Sequence, residues 1–549
     1  MKNTIFEPTT FRSSISKSMK FLLALCALFF MLPAMAQKPK LVPHVDFWDQ
    51  EKSVKKSQGQ YLDGLEHGTW RYWYEDGQLM EDSEFYRGKL HGEVLRYHEN
   101  GVLSHRGYFN LNQQDSLMQA WFENDTLRET GYFDEGKKVG VWKSYYESGA
   151  PKMTESYAGD TLLVLEYWDV RDRKTIDEGT GYMMERYSNG TVKERYEFKD
   201  GLKHGAFEEN FNSGNKKTTG AYSDGLKSGT WEFWHSTGEM MSRMTFLEDE
   251  LHDVYQEFFP DGNPKVEGHY DRGVKTGSWR WWRENKELEM QGEFLNGEQH
   301  GEWKVWFESG GLNYVGHYEK GQKTGEWLHY YPDGSLWKKG TYLQDQKEGE
   351  WQTWFENGNK LQEGGYVSGL EQGEWKAWYE NENQKDIGSF NEGKLHGKWT
   401  GWSPGGQKIY EGSWENDMKH GEWKYWHENG QLQLTGWFAG GVKTGIWRTY
   451  DERGTLVSEG SYNDGRPHGE WTYYFENSGV WRKTNYNTGK LDGKEVIYHS
   501  NGQIQSEADY KNGLKDGKFR VLSRKGQLIR EEIFEKGKSV KVLVDRSAN

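Results

Sequence analysis

Gly301-Glu302-Trp303-Lys304-Val305-Trp306-Phe307 does not occur once; it returns. A step of 24 residues lands on Gly325-Glu326-Trp327, Gly349-Glu350-Trp351 and Gly373-Glu374-Trp375, then on Gly397, Gly421, Gly445, Gly469, Gly493 and Gly517. Backward steps reach Gly277, Asp253, Gly229, Gly205 and Gly181, so fourteen consecutive intervals hold the period without an insertion. An earlier block runs through Gly68, Gly92, Ser116 and Gly140, which makes nineteen units. Self-similarity at a fixed period marks a repeat architecture, in which length adds copies of one small unit rather than new cores.

Let the glycine be position zero. Position +2 is Trp in twelve of the nineteen units, position +5 is aromatic in sixteen, and position +17 is aromatic in all nineteen, from Phe85 to Phe534. Glycine recurs at +9, +15 and +20, as in Gly310, Gly316 and Gly321. The run from +1 to +6, such as Glu422-Trp423-Lys424-Tyr425-Trp426-His427, is rich in strand formers. Asn429-Gly430 follows as a hairpin signal, then a second run, Leu432 to Phe438, and the turn Ala439-Gly440-Gly441. Two strands of about six residues and two turns fill the period. No apolar stripe at helical spacing exists to compete. The expected fold is therefore all-β, an elongated open array of antiparallel hairpins in a single twisted sheet. Each hairpin advances the meander by roughly 10 Å, giving on the order of 200 Å in all. The glycine at +15 leaves room for an indole to lie over it.

Composition agrees. The 549 residues include 68 Gly and 28 Trp, and aromatics make up 16 %. Mean hydropathy is −1.02. That is too polar for one aliphatic core and too aromatic for disorder. Net charge is −15, and −18 once the four basic and one acidic residues of 1–36 are set aside. Nucleic acid and anionic membrane are poor partners for such a chain, since both select a basic face. Residues 1–36 read as a signal peptide: Lys17 and Lys20, the apolar run Phe21–Leu32, and Ala34-Met35-Ala36 before Gln37, with cleavage expected between Ala36 and Gln37. The expectation is a secreted, periplasmic or cell-envelope protein with no membrane span after leader removal. The only cysteine, Cys26, lies inside the leader, so the mature chain has neither disulfides nor thiolate chemistry.

Gly301, Trp303, Trp306, Phe307, Gly316, Tyr318 and Gly321 carry a resemblance to the MORN repeat variant family. The resemblance extends over nearly all of residues 60–540. It implies an antiparallel hairpin array with a binding or scaffolding role, and it does not imply a catalytic activity. Some bacterial members carry the label of a YwqK-type antitoxin; others are secreted or periplasmic repeat proteins.

The expected organisation is a leader (1–36), an N-terminal cap (37–60), a first repeat block (61–160), an insertion (161–180), a second block (181–537) and a C-terminal cap (538–549). The insertion follows from the 41-residue step between Gly140 and Gly181. Its apolar residues Leu163, Leu165, Tyr167 and Trp168 form either a longer hairpin that mends the register or a docking site for a partner. The second candidate surface is the +5 row: Trp306, Trp354, Trp378, Trp402 and Trp426. Opposite parity sends +2 and +5 to opposite faces. A displayed row could stack on sugars or choline-like cations, or simply pack on the neighbouring hairpin. Eight histidines, including His300 and His420, precede the repeat glycine. Hairpins about 10 Å apart hold them too far from one another for a shared zinc, and they read as turn residues. No catalytic motif, calcium roll, cofactor or metal site is expected. Three functions remain: an exported scaffold for protein–protein interaction, an aromatic-lined glycan or cell-wall binder, and an antitoxin-like neutraliser.

Overall fold

The computed structural model describes residues 40–546, so the expected leader and its cleavage junction at Ala36 and Gln37 lie outside the described residues. Those residues form forty-four β-strands and no helix. The fold is an open antiparallel meander in which consecutive strands pair. Leu41–Phe47 pairs only with Lys55–Leu62, and Lys538–Asp545 only with Leu528–Glu535, so no barrel closes among the described residues. The chain divides into two compact units, one running to Met183 with Glu197–Leu202, the other comprising Met184–Tyr196 and everything from Lys203.

In the second unit the hairpin at Gly301 shows the design. Strand Glu298–Trp306 leads into a five-residue turn, Phe307 to Gly311. There Phe307 N–H donates to Gly311 O (2.8 Å) and Gly310 N–H to Phe307 O (3.0 Å). Strand Leu312–Glu319 returns. Lys320 and Gly321, with φ of 51° and 75°, then form a two-residue turn into Gln322–Tyr330. Two left-handed residues match the right-handed twist of the flanking strands. The tight turn is thus at the end of the unit, not at the Asn-Gly signal. Asn429 serves the longer turn instead: its Oδ1 accepts from Gln431 N–H (3.0 Å), and its Nδ2 donates to Glu452 O of the next repeat (2.6 Å).

Between hairpins the ladder bulges. Pairing jumps from Val315–Leu328 to His317–Thr324, leaving Gly316 opposite Gly325-Glu326-Trp327. Gly325 takes φ +62°, and the two departures from glycine among the nineteen units hold the same conformation, Asp253 at 65° and Ser116 at 60°. The bulge lays Trp327 flat on Gly316. A Cβ on Gly316 would stand 2.2 Å from the indole carbons, so no other residue fits there. The indole N–H donates to His317 O (3.3 Å). Tyr318 and Tyr342 meet the ring edge-on at 5.2 and 5.6 Å, and Lys323 Nζ sits 4.6 Å from its centroid. Trp327 is 1 % exposed although the sheet is a single layer. The ladder continues without a gap from Trp279 through Phe294, Trp303, Tyr318, Trp327, Tyr342, Trp351, Tyr366, Trp375 and Phe390 to Trp399. Edge-to-face pairs of this kind stabilise by about 0.5–1.5 kcal/mol beyond area burial.

Every one of the twelve tryptophans at +2 lies on a glycine eleven residues earlier, and a Cβ there would come within 1.9–2.2 Å of each ring. Where that residue is Ser83, Met244, Thr484 or Ala508, the residue at +2 is Val94, Tyr255, Glu495 or Phe519. The buried Glu495 pairs with Arg482. Glycine and tryptophan are thus complementary in volume at all twelve sites, whereas Met244–Tyr255 and Tyr196–Phe207 set two large side chains together, and each pair spans two repeats.

The first unit refines the expected boundaries. Leu41–Phe47 and Lys55–Leu62, expected as a cap, form a full hairpin whose Gly59 lies beneath Trp70; the expected boundary at 61 falls inside its second strand. The 161–180 segment is a shortened hairpin. Its first strand, Thr161–Trp168, follows the 24-residue phase from Gly140, while its second, Lys174–Asp177, has four residues instead of eight. The turn at Gly201 fills the vacated edge: Val164 N–H donates to Gly201 O (2.9 Å) and Gly201 N–H to Gly179 O (2.9 Å).

Gly316→Ser is expected to cost about 1–3 kcal/mol through overpacking against Trp327. Adding Trp327→Val, which recreates the Ser83–Val94 pair, is expected to recover part of the loss. Urea unfolding with hydrogen exchange over residues 312–330 checks both. A double variant less stable than the sum of the singles would overturn the complementarity.

Candidate functional site

Strand alternation separates two faces. Positions +2, +4, +13, +15 and +17 line the tryptophan ladder; +1, +3, +14 and +16 face away. All five tryptophans of the +5 row, Trp306, Trp354, Trp378, Trp402 and Trp426, are half-buried, neither sealed nor displayed. Lysines partly account for this. Lys360 Nζ stands 5.5 Å from the Trp378 ring, and Lys408 Nζ stands 5.1 Å from that of Trp426. The same ammonium groups bridge to Glu363 (2.6 Å) and Glu411 (2.8 Å) at position +14. These partners place the two indoles on the face away from the ladder, as parity requires. A cation and a carboxylate therefore already occupy the approach that a stacked ligand would take.

The residue at +6 ties neighbouring hairpins together at their longer turns. Tyr331 and Tyr379 hydroxyls donate to the backbone oxygens of Trp354 and Trp402 (2.9 Å each), and Arg283 Nη2 donates to that of Trp306 (2.7 Å). The +5 backbone is thus part of a side-chain ladder running from repeat to repeat.

The other candidate surface is a strand within the sheet. Tyr167 is buried, and Leu163, Leu165 and Trp168 are half-buried within Thr161–Trp168. Leu163 packs against Gly201 and Tyr167 pairs with the fully buried Ile176. The most exposed large hydrophobic residue nearby is Val170, at the turn.

The histidines before the repeat glycine lie one per hairpin, some beside carboxylates. His420 Nδ1 stands 3.4 Å from Glu415, and His204 Nδ1 3.4 Å from Asp224. Among the described residues no three His, Cys, Asp or Glu side chains group to hold a metal ion. A different histidine is perturbed. His329, at +4, packs among Tyr314, Trp327 and Trp337, and its buried Nε2 has no hydrogen-bond partner. Burial, and then Lys338 and Lys323, push its pKa down to about 4. Tyr318 is pushed up to about 12, mainly by burial. Burial also lowers the pKa of Lys443, which caps Trp447 at 4.2 Å.

The lysine at −2 was not singled out from the sequence. Lys138, Lys227, Lys275, Lys323, Lys347, Lys419 and Lys443 each stand within 5 Å of the centroid of the Trp four residues on. Their constant phase in the repeat was the available signal.

A single-layer array of β-hairpins joined by an aromatic ladder defines a repeat scaffold. Eleven segments match the MORN repeat variant: 66–86, 90–110, 138–158, 254–272, 299–320, 323–344, 347–367, 419–436, 443–464, 467–488 and 491–512. The chain belongs to that family. No curated protein matches it. Among solved structures it is similar to the crystal structure of TcdB2-TccC3-Cdc42, at 12 % identity over 87 % of this chain and 28 % of that one, with a TM-score of 0.13. It is likewise similar to the Photorhabdus luminescens Tc holotoxin pore, with the same identity, coverage and TM-score. The chain spans less than a third of the length of these structures.

Trp327→Ala is expected to cost about 3–5 kcal/mol, against about 1–2 kcal/mol for the half-buried Trp378→Ala. Chemical denaturation compares them, and equal losses would contradict the two-face assignment. For His329 the unfolded imidazole titrates near 6.5 and the folded one near 4. Between those values the unfolded chain binds a proton that the folded chain does not, so stability falls as pH drops from 6.5 towards 4. His329→Phe is expected to flatten this component of the urea midpoint between pH 7 and pH 5. Parallel pH profiles would show that His329 is not held neutral.

Proposed function

We propose that the protein is an exported, non-catalytic scaffold that binds protein partners in the cell envelope. The observation that carries this reading is the repeat itself: the period holds without an insertion from Gly181 to Gly517, and from Trp279 to Trp471 every hairpin presents a Trp at the same ladder position. Such a surface offers many equivalent positions rather than one cleft, which suits multivalent holding of partners. The leader-like residues 1–36 support the envelope location. A glycan role for the +5 row gains less support, because Lys360 and Lys408 lie over two of its five rings.

Cell fractionation with N-terminal sequencing, followed by crosslinking and affinity purification from envelope fractions, tests the proposal. The expected result is a chain beginning at Gln37, recovered outside the cytoplasm with specific protein partners. An unprocessed cytoplasmic chain would overturn the location, and an envelope chain with no saturable protein partner would overturn the scaffold role.

A further inference from the structure

The face away from the ladder is largely polar, and exposed apolar pairs at +16 and the following +1 interrupt it at Tyr132 with Val141 and at Trp437 with Ile446, the second pair carrying the most exposed tryptophan among the described residues. Position +16 is a tryptophan only at Trp437; the same position in the flanking repeats is Ser413 and Ser461. Trp437 is 52 % exposed, and Ile446, at +1 of the following repeat, is 49 % exposed. Position +1 is Glu422 in the repeat before and Glu470 in the repeat after. The backbone dictates the outward aim of the indole. Gly436, the preceding residue, faces the ladder beneath Trp447, so Trp437 must face away. Gly445 supports its root, since a Cβ there would touch the Trp437 Cβ and Cγ at 3.8 and 4.0 Å.

Around this apolar pair the structure forms a shallow depression of about 450 Å³. Thr435, Thr444, Glu422 and Arg448 share its lining with Trp437 and Ile446. Thr435 Oγ1 donates to Glu422 Oε1 (3.3 Å), and Arg448 Nε is held by Glu459 Oε2 (3.1 Å), so both charged groups are oriented. One exposed indole ringed by hydroxyl, carboxylate and guanidinium groups matches a ligand with an apolar face and a hydroxylated edge. A pyranose ring has both.

We infer that Trp437 is the platform of a carbohydrate-binding subsite, stacking one face of an uncharged sugar ring while Thr435, Thr444, Glu422 and Arg448 hydrogen-bond its hydroxyls. A quaternary ammonium ligand fits less well, because it seeks several aromatic walls and Arg448 would repel it. A protein partner fits less well because the apolar spot is confined to one repeat junction, with Glu422 and Glu470 at +1 on either side. Stable protein interfaces bury about 800 Å² on each side, whereas the depression is of small-molecule size. This subsite is separate from the +5 row and does not depend on the scaffold role.

The test uses the full mature chain with cellopentaose and chitopentaose, by calorimetry and saturation-transfer NMR. Binding of at least one probe is expected, weakened at least tenfold by Trp437→Ala and less by Trp437→Phe, which keeps a ring. Arg448→Ala is expected to weaken it as well, and circular dichroism and thermal melting should be unchanged for Trp437→Ala because the ring is exposed. Failure of the wild-type chain to bind either probe, or unchanged affinity in Trp437→Ala, overturns the inference. A protein partner lost in Trp437→Ala, with no probe bound by the wild type, reassigns the patch and also overturns it.

Discussion

Everything else in the fold depends on an indole lying on a bare peptide backbone. A single sheet has no second layer to cover its aromatic face, yet Trp303, Trp327, Trp423 and Trp447 are almost fully buried. Removing the Cβ at Gly316 lets the ring drop to the depth of the backbone. The aromatics at +17 then close its two edges, and the lysine at −2 lies above it. The bulge is the cost of the contact, since it breaks the ladder pairing at each repeat boundary. One ring is thereby buried by residues from two hairpins. A lone hairpin is marginal in water, and here cooperativity enters at the junction between neighbours, not within the hairpin.

Much of this was legible in the sequence because it recurs at fixed phase. The period, the two short strands, the aromatic at +17 and the room above the +15 glycine all follow from counting residues. What escaped was non-periodic or relational. The first hairpin went unrecognised because His44 stands where the repeat glycine would be. The segment at 161–180 looked like an insertion because Val164 occupies position zero, so the phase seemed lost; where a longer hairpin or a docking site was expected, the structure shows a hairpin seven residues short of the period. The Asn-Gly pair suggested a two-residue turn, but its asparagine is engaged with the next repeat, a partner twenty-three residues away that no local rule includes. The half-burial of Trp378 and Trp426 was equally hidden, since it depends on lysines from the preceding hairpin.

The two faces divide the labour. The ladder face is fully committed to stability: its hydrogen bonds, ring contacts and lysine caps are spent on neighbouring repeats, and perturbed groups such as His329 reflect packing rather than chemistry. The opposite face carries salt bridges and solvated side chains with little structural duty. The residues there vary from repeat to repeat, and exposed apolar pairs such as Trp437 with Ile446 stand out against that background. In a repeat protein, function is written as departure from the consensus on the face that does not hold the array together.

The eleven-residue spacing between each glycine and its tryptophan bears on how such a chain changes length. Gly316–Trp327 straddles the boundary between copies, and the next copies hold the same pair. Unequal crossing-over between these copies regenerates a matched pair whichever register it uses, so the central array can gain or lose copies in one genetic event. The pairs Ser83–Val94, Met244–Tyr255 and Thr484–Glu495 lack that freedom, because a crossover inside any of them would set a tryptophan on a side chain or leave a glycine bare. The chain is consequently open to recombination along the unbroken run from Gly268–Trp279 to Gly460–Trp471 and constrained at each pair that departs from it.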